Sequence, residues 1–216
     1  MKSLIVYDLD GTLVDTGEDI AQAVNHMLAR LSTAPLSLEE IRQYVGRGLH
    51  DLIGRCLKTD DPARVEQGVR LFGDYYADHL ADHSTLYPGV RDVLEHFKTR
   101  AQAVLTNKPH PHAQDLLRAL GIADYFLAVL PGGTDYPKKP HPAALQALMG
   151  QARVQPAETL LIGDSTIDVA TGRSAGVFTV IVSQGFEDPR QLQASSPDVV
   201  VRDFEELLGL AKRRGW

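Results

Sequence analysis

Leu4-Ile5-Val6-Tyr7-Asp8-Leu9-Asp10-Gly11-Thr12 is the most informative stretch of this 216-residue chain. Four apolar residues without polar alternation predict a β-strand buried on both faces, as in a parallel sheet. The run stops at two acids and a glycine-containing turn. In open α/β sheets, ligands bind outside the carboxyl ends of the strands. Asp8 and Asp10 therefore stand where chemistry is expected. Two carboxylates so close repel, and a metal or a shared proton has to relieve them. A carboxylate can attack phosphorus and form an acyl phosphate. A second acid two residues on lies on the same side of an extended chain and can move protons. Gly11 permits a sharp turn beside a phosphate, and the Thr12 hydroxyl can hold that turn.

Further short apolar runs occur at Ala103 to Thr106, Tyr125 to Leu130, Thr159 to Ile162, Val177 to Val182 and Val199 to Val201. Amphipathic stretches separate them, such as Val90 to Thr99 and Pro111 to Leu120, the latter stopped by Gly121. This alternation predicts an α/β fold with a doubly wound parallel sheet. Residues 18–83 break the rhythm. Apolar residues recur there at helical spacing through Ile20, Val24, Met27, Leu28 and Leu31, through Leu49, Leu52, Ile53 and Leu57, and through Val65, Val69, Phe72 and Tyr76. The expectation is a small helical cap inserted after strand 1, over 16–85, with the α/β core in 1–15 and 86–216.

Composition narrows the function. The chain is 44% hydrophobic and 23% charged, as in ordinary globular proteins. No run reaches the length of a membrane span, and the N-terminal apolar run is cut by Asp8 before it could serve as a secretory signal. A cytoplasmic location and no membrane partner are expected. A net charge of −6 without a basic run argues against nucleic acid. Cys56 is the only cysteine, which excludes an internal disulfide and a cysteine zinc site.

Three other strand ends carry polar groups. Thr106-Asn107-Lys108 closes the run that begins at Ala103. The Thr106 hydroxyl and the Asn107 N–H suit phosphate oxygens, and Lys108 reads as a solvated residue or loop contact. Lys138-Lys139-Pro140-His141-Pro142 precedes a helix whose entry the prolines fix. Gly163-Asp164-Ser165-Thr166-Ile167-Asp168 follows another buried strand, and one helical turn could bring Asp168 beside Asp164. Hard oxygen ligands of this kind suit Mg²⁺.

Asp8 to Thr16 resembles the first motif of the haloacid dehalogenase-like hydrolases. The stretches around Thr106, Lys139 and Asp164 resemble the second, third and fourth, in the family's order, across the core from residue 4 to about 182. The resemblance implies Asp8 as nucleophile and Asp10 as acid/base. It implies Mg²⁺ held by Asp8, the Asp10 backbone carbonyl and Asp164. Lys139, rather than Lys138, is implied to meet the phosphate and Asp8, with Thr106 and Asn107 as further phosphate ligands. Asp168, Thr12 and Ser165 are expected around this set, Asp168 near the metal or holding Lys139. His141 is expected at the surface or helix start. Ala175-Gly176 is read as close packing of the helix after Asp164 on the sheet. The second acid at Asp10 favours phosphatases and phosphomutases over dehalogenases.

In this family a helical cap after the first motif selects substrates. Val45-Gly46-Arg47-Gly48-Leu49 resembles a cap loop of phosphoglycolate phosphatases and their close relatives, where Arg47 could clamp a carboxylate. The reading is a phosphoric monoester hydrolase acting on a small phosphorylated metabolite, as monomer or homodimer. The alternatives are a β-phosphoglucomutase-like mutase, whose relatives carry a different cap sequence near Arg47, and a phospho-accepting receiver module. Receivers are shorter and lack the acid at Asp10's place.

Overall fold

The structure is a computed structural model that describes residues 1–133 and 136–216. In chain order the elements are β1 (Leu4–Tyr7), β2 (Val14–Asp15), α1 (Gly17–Arg30), α2 (Leu38–Arg42), α3 (Leu49–Leu57), α4 (Pro62–His79), β3 (Thr85–Leu86), α5 (Val90–His96), β4 (Ala101–Pro109), α6 (His112–Ala119), β5 (Ala128–Gly132), α7 (Ala143–Ala152), β6 (Thr159–Gly163), α8 (Thr166–Ala175), β7 (Phe178–Val182), α9 (Pro189–Ala194), β8 (Val199–Val201) and α10 (Phe204–Arg214).

Six strands form one parallel sheet in the order β5-β4-β1-β6-β7-β8. The expected doubly wound α/β core is therefore present. β1 is fully buried, and its side chains divide by the period of two. Ile5 and Tyr7 enter one core with Val93, Leu116 and Phe204, whereas Leu4 and Val6 enter the other with Leu145, Leu148 and Leu161. Because β1 lies between β4 and β6, the chain leaves it at the switch point of the sheet. The segments after β1, β4 and β6 thus converge on one edge.

The run from Tyr125 to Leu130 splits. Ala123–Tyr125 forms a 3-10 turn, and the strand begins at Ala128. α8 also departs from expectation. Gly176 has φ 70° and caps that helix in the left-handed conformation, with no atom closer than 4.0 Å to a would-be Cβ. The close approach to the sheet is one turn earlier, where a Cβ on Gly172 would lie 1.9 Å from Thr179 Oγ1.

Helices α1 to α4 pack around a separate apolar core that includes Val24, Met27, Leu28, Ile53 and Phe72. The chain enters and leaves this bundle along a two-stranded antiparallel ribbon, with Val14 opposite Leu86 and Asp15 opposite Thr85. Asp19, buried at the start of α1, accepts from His83 N, Ser84 N and Ser84 Oγ at 2.6–3.1 Å, tying the two crossings together. No helix among the described residues is long and apolar enough to cross a membrane.

Candidate active site

The polypeptide turns after β1 through Gly11, whose φ of 79° is left-handed. A Cβ there would fall 2.3 Å from Asp164 Oδ2, so the first and fourth motifs meet only because this residue has none. Asp164 Oδ1 accepts from Thr12 Oγ1 at 2.7 Å, and Oδ2 accepts from Phe186 N at 3.0 Å. Burial, then Asp8 and Asp168, push the Asp164 carboxyl above the usual carboxylate range.

Ser165 caps α8, and its hydroxyl and N–H both donate to Asp168 Oδ2. That reciprocal cap fixes the buried Asp168 with Oδ1 directed to Lys139 Nζ, 2.7 Å away. The same ammonium is 2.9 Å from Asp8 Oδ1. Burial opposes the charge on Lys139, but Asp168 and Asp8 outweigh it and hold the ammonium above its ordinary value. Asp8 is pushed up to about 6 by burial, against the pull of Lys139. Carboxylate oxygens of Asp8, Asp164 and Asp168 lie within 4.8 Å of one another, all buried.

The Asp10 carboxylate stands apart from that group. Its Oδ1 accepts from Thr16 Oγ1 at 2.8 Å and from Lys108 Nζ at 2.9 Å. Lys108, read in the sequence as a solvated residue or loop contact, is in fact 7% exposed. Its Nζ also donates to Tyr76 Oη on α4 at 2.8 Å. An ammonium can be this buried because a carboxylate, a phenol oxygen and the Tyr76 ring face compensate for lost water.

Thr106 and Asn107 lie within β4, just past the end of its regular pairing with β5 at Leu105. Thr106 Oγ1 accepts from Lys108 N at 3.2 Å, leaving its proton free to donate, and the residue lines the cavity beside Asp8 and Asp10. The Asn107 side chain is committed elsewhere. Oδ1 accepts from Lys139 N at 2.9 Å, while Nδ2 donates to Lys139 O at 3.0 Å and to Gly46 O at 2.9 Å. It therefore fixes the Lys139 backbone and tethers the Val45-to-Leu49 loop to the sheet. Only its N–H is left for the phosphate role expected of it. His141 is exposed, and its Nδ1 accepts from Ala143 N at the start of α7.

Two cavities border Asp8 and Asp10. One, about 520 Å³ including open solvent, has apolar walls including Ile20, Leu49, Leu52 and Phe72. The other, about 1680 Å³ including open solvent, runs past Arg42, Arg47, Asp164 and Phe186. Arg47 is exposed and forms no ion pair among the described residues. Arg42, unremarked in the sequence, is bound to Asp15 at 2.9 Å and lies 5.4 Å from the Phe186 ring centroid, bridging the bundle and the sheet.

The four strand-end motifs thus meet at one place, and similarity to known proteins follows the same stretch. The model of the haloacid dehalogenase-like hydrolase family matches residues 5–182. The phosphoglycolate phosphatase of Pseudomonas putida is 38% identical over 216 residues, which cover 96% of this chain and 79% of its own. That of Vibrio parahaemolyticus is 38% identical over 215 residues, covering 95% and 94% respectively. The crystal structure of a predicted phosphoglycolate phosphatase from Haemophilus somnus has a TM-score of 0.92 at 32% identity, covering 97% of this chain and 98% of that one. The chain belongs to the haloacid dehalogenase-like hydrolases.

Proposed function

We propose that this protein is a magnesium-dependent phosphatase that hydrolyses a small phosphomonoester of the phosphoglycolate kind through an aspartyl-phosphate on Asp8. The observation that carries the reading is the separation of the two acids. Asp8 faces Lys139 and the carboxylates of Asp164 and Asp168, whereas Asp10 is turned to Thr16 and Lys108. On this reading one acid bonds phosphorus and the other carries a proton.

The donor set fits a hard divalent cation. Three buried carboxylates converge, and Lys139 is the ammonium paired with two of them. That leaves net negative charge among oxygen ligands, the environment in which Mg²⁺ is held with several waters. Asp8, Asp164 and the Asp10 backbone carbonyl would hold it, with Asp168 beside them. When bound it supplies charge neutralisation to the phosphoryl group.

In this scheme an Asp8 oxygen attacks phosphorus as the ester P–O bond breaks. The departing alkoxide takes a proton from Asp10. Asp10 then takes a proton from water as that water attacks the acyl phosphate, releasing phosphate and restoring Asp8. Lys139, the Thr106 hydroxyl and the Asn107 N–H stabilise the phosphoryl oxygens as charge builds. Residues 16–85 act as a cap over this site. Arg47 is exposed and lines the polar cavity, and in this scheme it receives the carboxylate of a phosphoglycolate-like substrate. The curated relatives' name supports that substrate class.

Release of phosphate from 2-phosphoglycolate tests the reading. Turnover should require Mg²⁺ and should vanish in Asp8→Asn with the fold retained. Substantial steady-state hydrolysis by Asp8→Asn would refute the covalent scheme. Arg47→Ala should lower kcat/KM for phosphoglycolate far more than for p-nitrophenyl phosphate, and equal losses would remove Arg47 from recognition.

A further inference from the structure

Tyr76 and Lys108 lie outside every role assigned above, yet Lys108 bonds the Asp10 carboxylate directly and Tyr76 bonds Lys108. We propose that they are positioning residues for Asp10, so that the seating of the helical cap on the core governs proton delivery to the leaving group. The proposal rests on the reading of Asp10 as the acid/base.

The contacts form a chain from cap to core. Tyr76 belongs to α4 and is 1% exposed. Its ring stacks on Phe72 of the same helix at 5.0 Å between centroids and meets His112 of α6 edge-on at 5.2 Å. The ring is thus held between the two parts of the molecule. Its Oη accepts from Lys108 Nζ, and that ammonium donates to Asp10 Oδ1. Lys108 Nζ also lies 4.7 Å from the Tyr76 ring centroid. Lysine carries its charge on a flexible stem with rotatable donors. Among the described residues Nζ has two hydrogen-bond partners, so losing the phenol oxygen leaves Asp10 as its sole anchor.

The geometry assigns different tasks to the two Asp10 oxygens. Oδ1 takes both donors, one from Thr16 at the cap entrance and one from Lys108 on the core strand. Oδ2 accepts from none of the described residues, and Asp10 borders both cavities. Pinning Oδ1 orients Oδ2 for proton transfer. If the cap lifts, Tyr76 leaves with it, and Lys108 loses the contact that aims it. Proton transfer is then efficient only with the cap seated and water excluded.

A leaving-group comparison tests this without relying on titration. An alkyl phosphate needs a proton on its departing oxygen, whereas p-nitrophenolate leaves without one. The kcat ratio, alkyl over p-nitrophenyl phosphate, should fall sharply in Asp10→Asn. It should fall roughly tenfold in Tyr76→Phe and in Lys108→Met, a fraction of the usual general-acid contribution. Tyr76→Phe keeps the ring and its stacking, so it guards against misfolding in Lys108→Met. A ratio unchanged in Tyr76→Phe but lowered in Asp10→Asn overturns the positioning role. A ratio unchanged in Asp10→Asn overturns the acid/base reading itself, and the positioning role with it.

Discussion

Lys139 Nζ lies 2.9 Å from Asp8 Oδ1, and the same ammonium is 2.7 Å from Asp168 Oδ1. Neither acid can lose this cation without being left buried and less compensated. Lys139→Met should therefore destabilise the metal-free protein by roughly 3–5 kcal/mol at pH 7.5, the range for breaking a buried pair from one side. The cost should shrink at pH 5. Asp8's folded value of about 6 is above its ordinary one, so its ionisation already opposes folding. The stability tied to protonated Asp8 is complete at low pH and is lost as pH rises through about 6. Removing Lys139 raises that value further. Urea unfolding in chelator at both pH values measures the difference, and a larger cost at pH 5 would contradict the pairing.

The same burial couples metal to protons. Burial holds Asp8 up at about 6 and shifts Asp164 upward, so on the proposed scheme Mg²⁺ would displace protons from them in mild acid. The Tm increase given by saturating-range Mg²⁺ at pH 7.5 should be largely lost at pH 5. Calorimetry in two buffers of different ionisation enthalpy should show net proton release near pH 6. Binding that tightens on acidification would mean that these carboxylates are not the ligands.

Much of this site is legible in the sequence because each motif sits at a strand end. A buried run such as Leu160-Leu161-Ile162 fixes the strand, and Asp164 follows within two residues. Local spacing also places Asp168 one turn on, although the capping of α8 by Ser165 shows only in the structure. Contacts across the chain leave no such trace. Lys108 reads as a solvated residue or loop contact because its partners are residues 10 and 76, the second supplied by a helix of the other module. Tyr76 fits the apolar stripe of α4, and that pattern conceals its hydroxyl. The short α2 and the β2–β3 ribbon are too brief for periodicity to register, although Ser37 does cap Glu40 N. Gly176 shows the complementary error, since a glycine near a helix end can stop the helix or admit close packing. Here Gly172 takes the second role.

Cys56 should be chemically silent in the native protein. It is 2% exposed in the cap core, and burial, with Glu40 nearby, pushes its thiol up to about 12. At pH 8 only about one thiol in ten thousand is then ionised, and the thiolate is the nucleophile. Reaction with a disulfide reagent should be at least about a thousandfold slower than in urea. Rapid native labelling would show that the cap core around Ile53 and Phe72 opens readily.

Asn107 offers a test of how the cap loop is fastened to the core. Its amide donates to Gly46 O and Lys139 O, and its carbonyl accepts from Lys139 N. Asn107→Asp keeps size and the acceptor for Lys139 N but replaces the two-donor Nδ2 with one carboxylate oxygen facing two carbonyl oxygens. A buried mismatch of this kind costs roughly 1–3 kcal/mol for each group left unsatisfied. Two separable effects should follow. The Lys139 backbone loses one side of its clamp, lowering kcat on every substrate, p-nitrophenyl phosphate included. Release of Gly46 frees the loop that carries Arg47, raising KM for a carboxylated phosphate more than for the aryl ester. Hydrogen exchange should quicken at residues 45–49 while α1 stays protected. An unchanged exchange rate in that loop, with only kcat reduced, would show that the Gly46 contact does not hold the loop and that Asn107 acts through Lys139 alone.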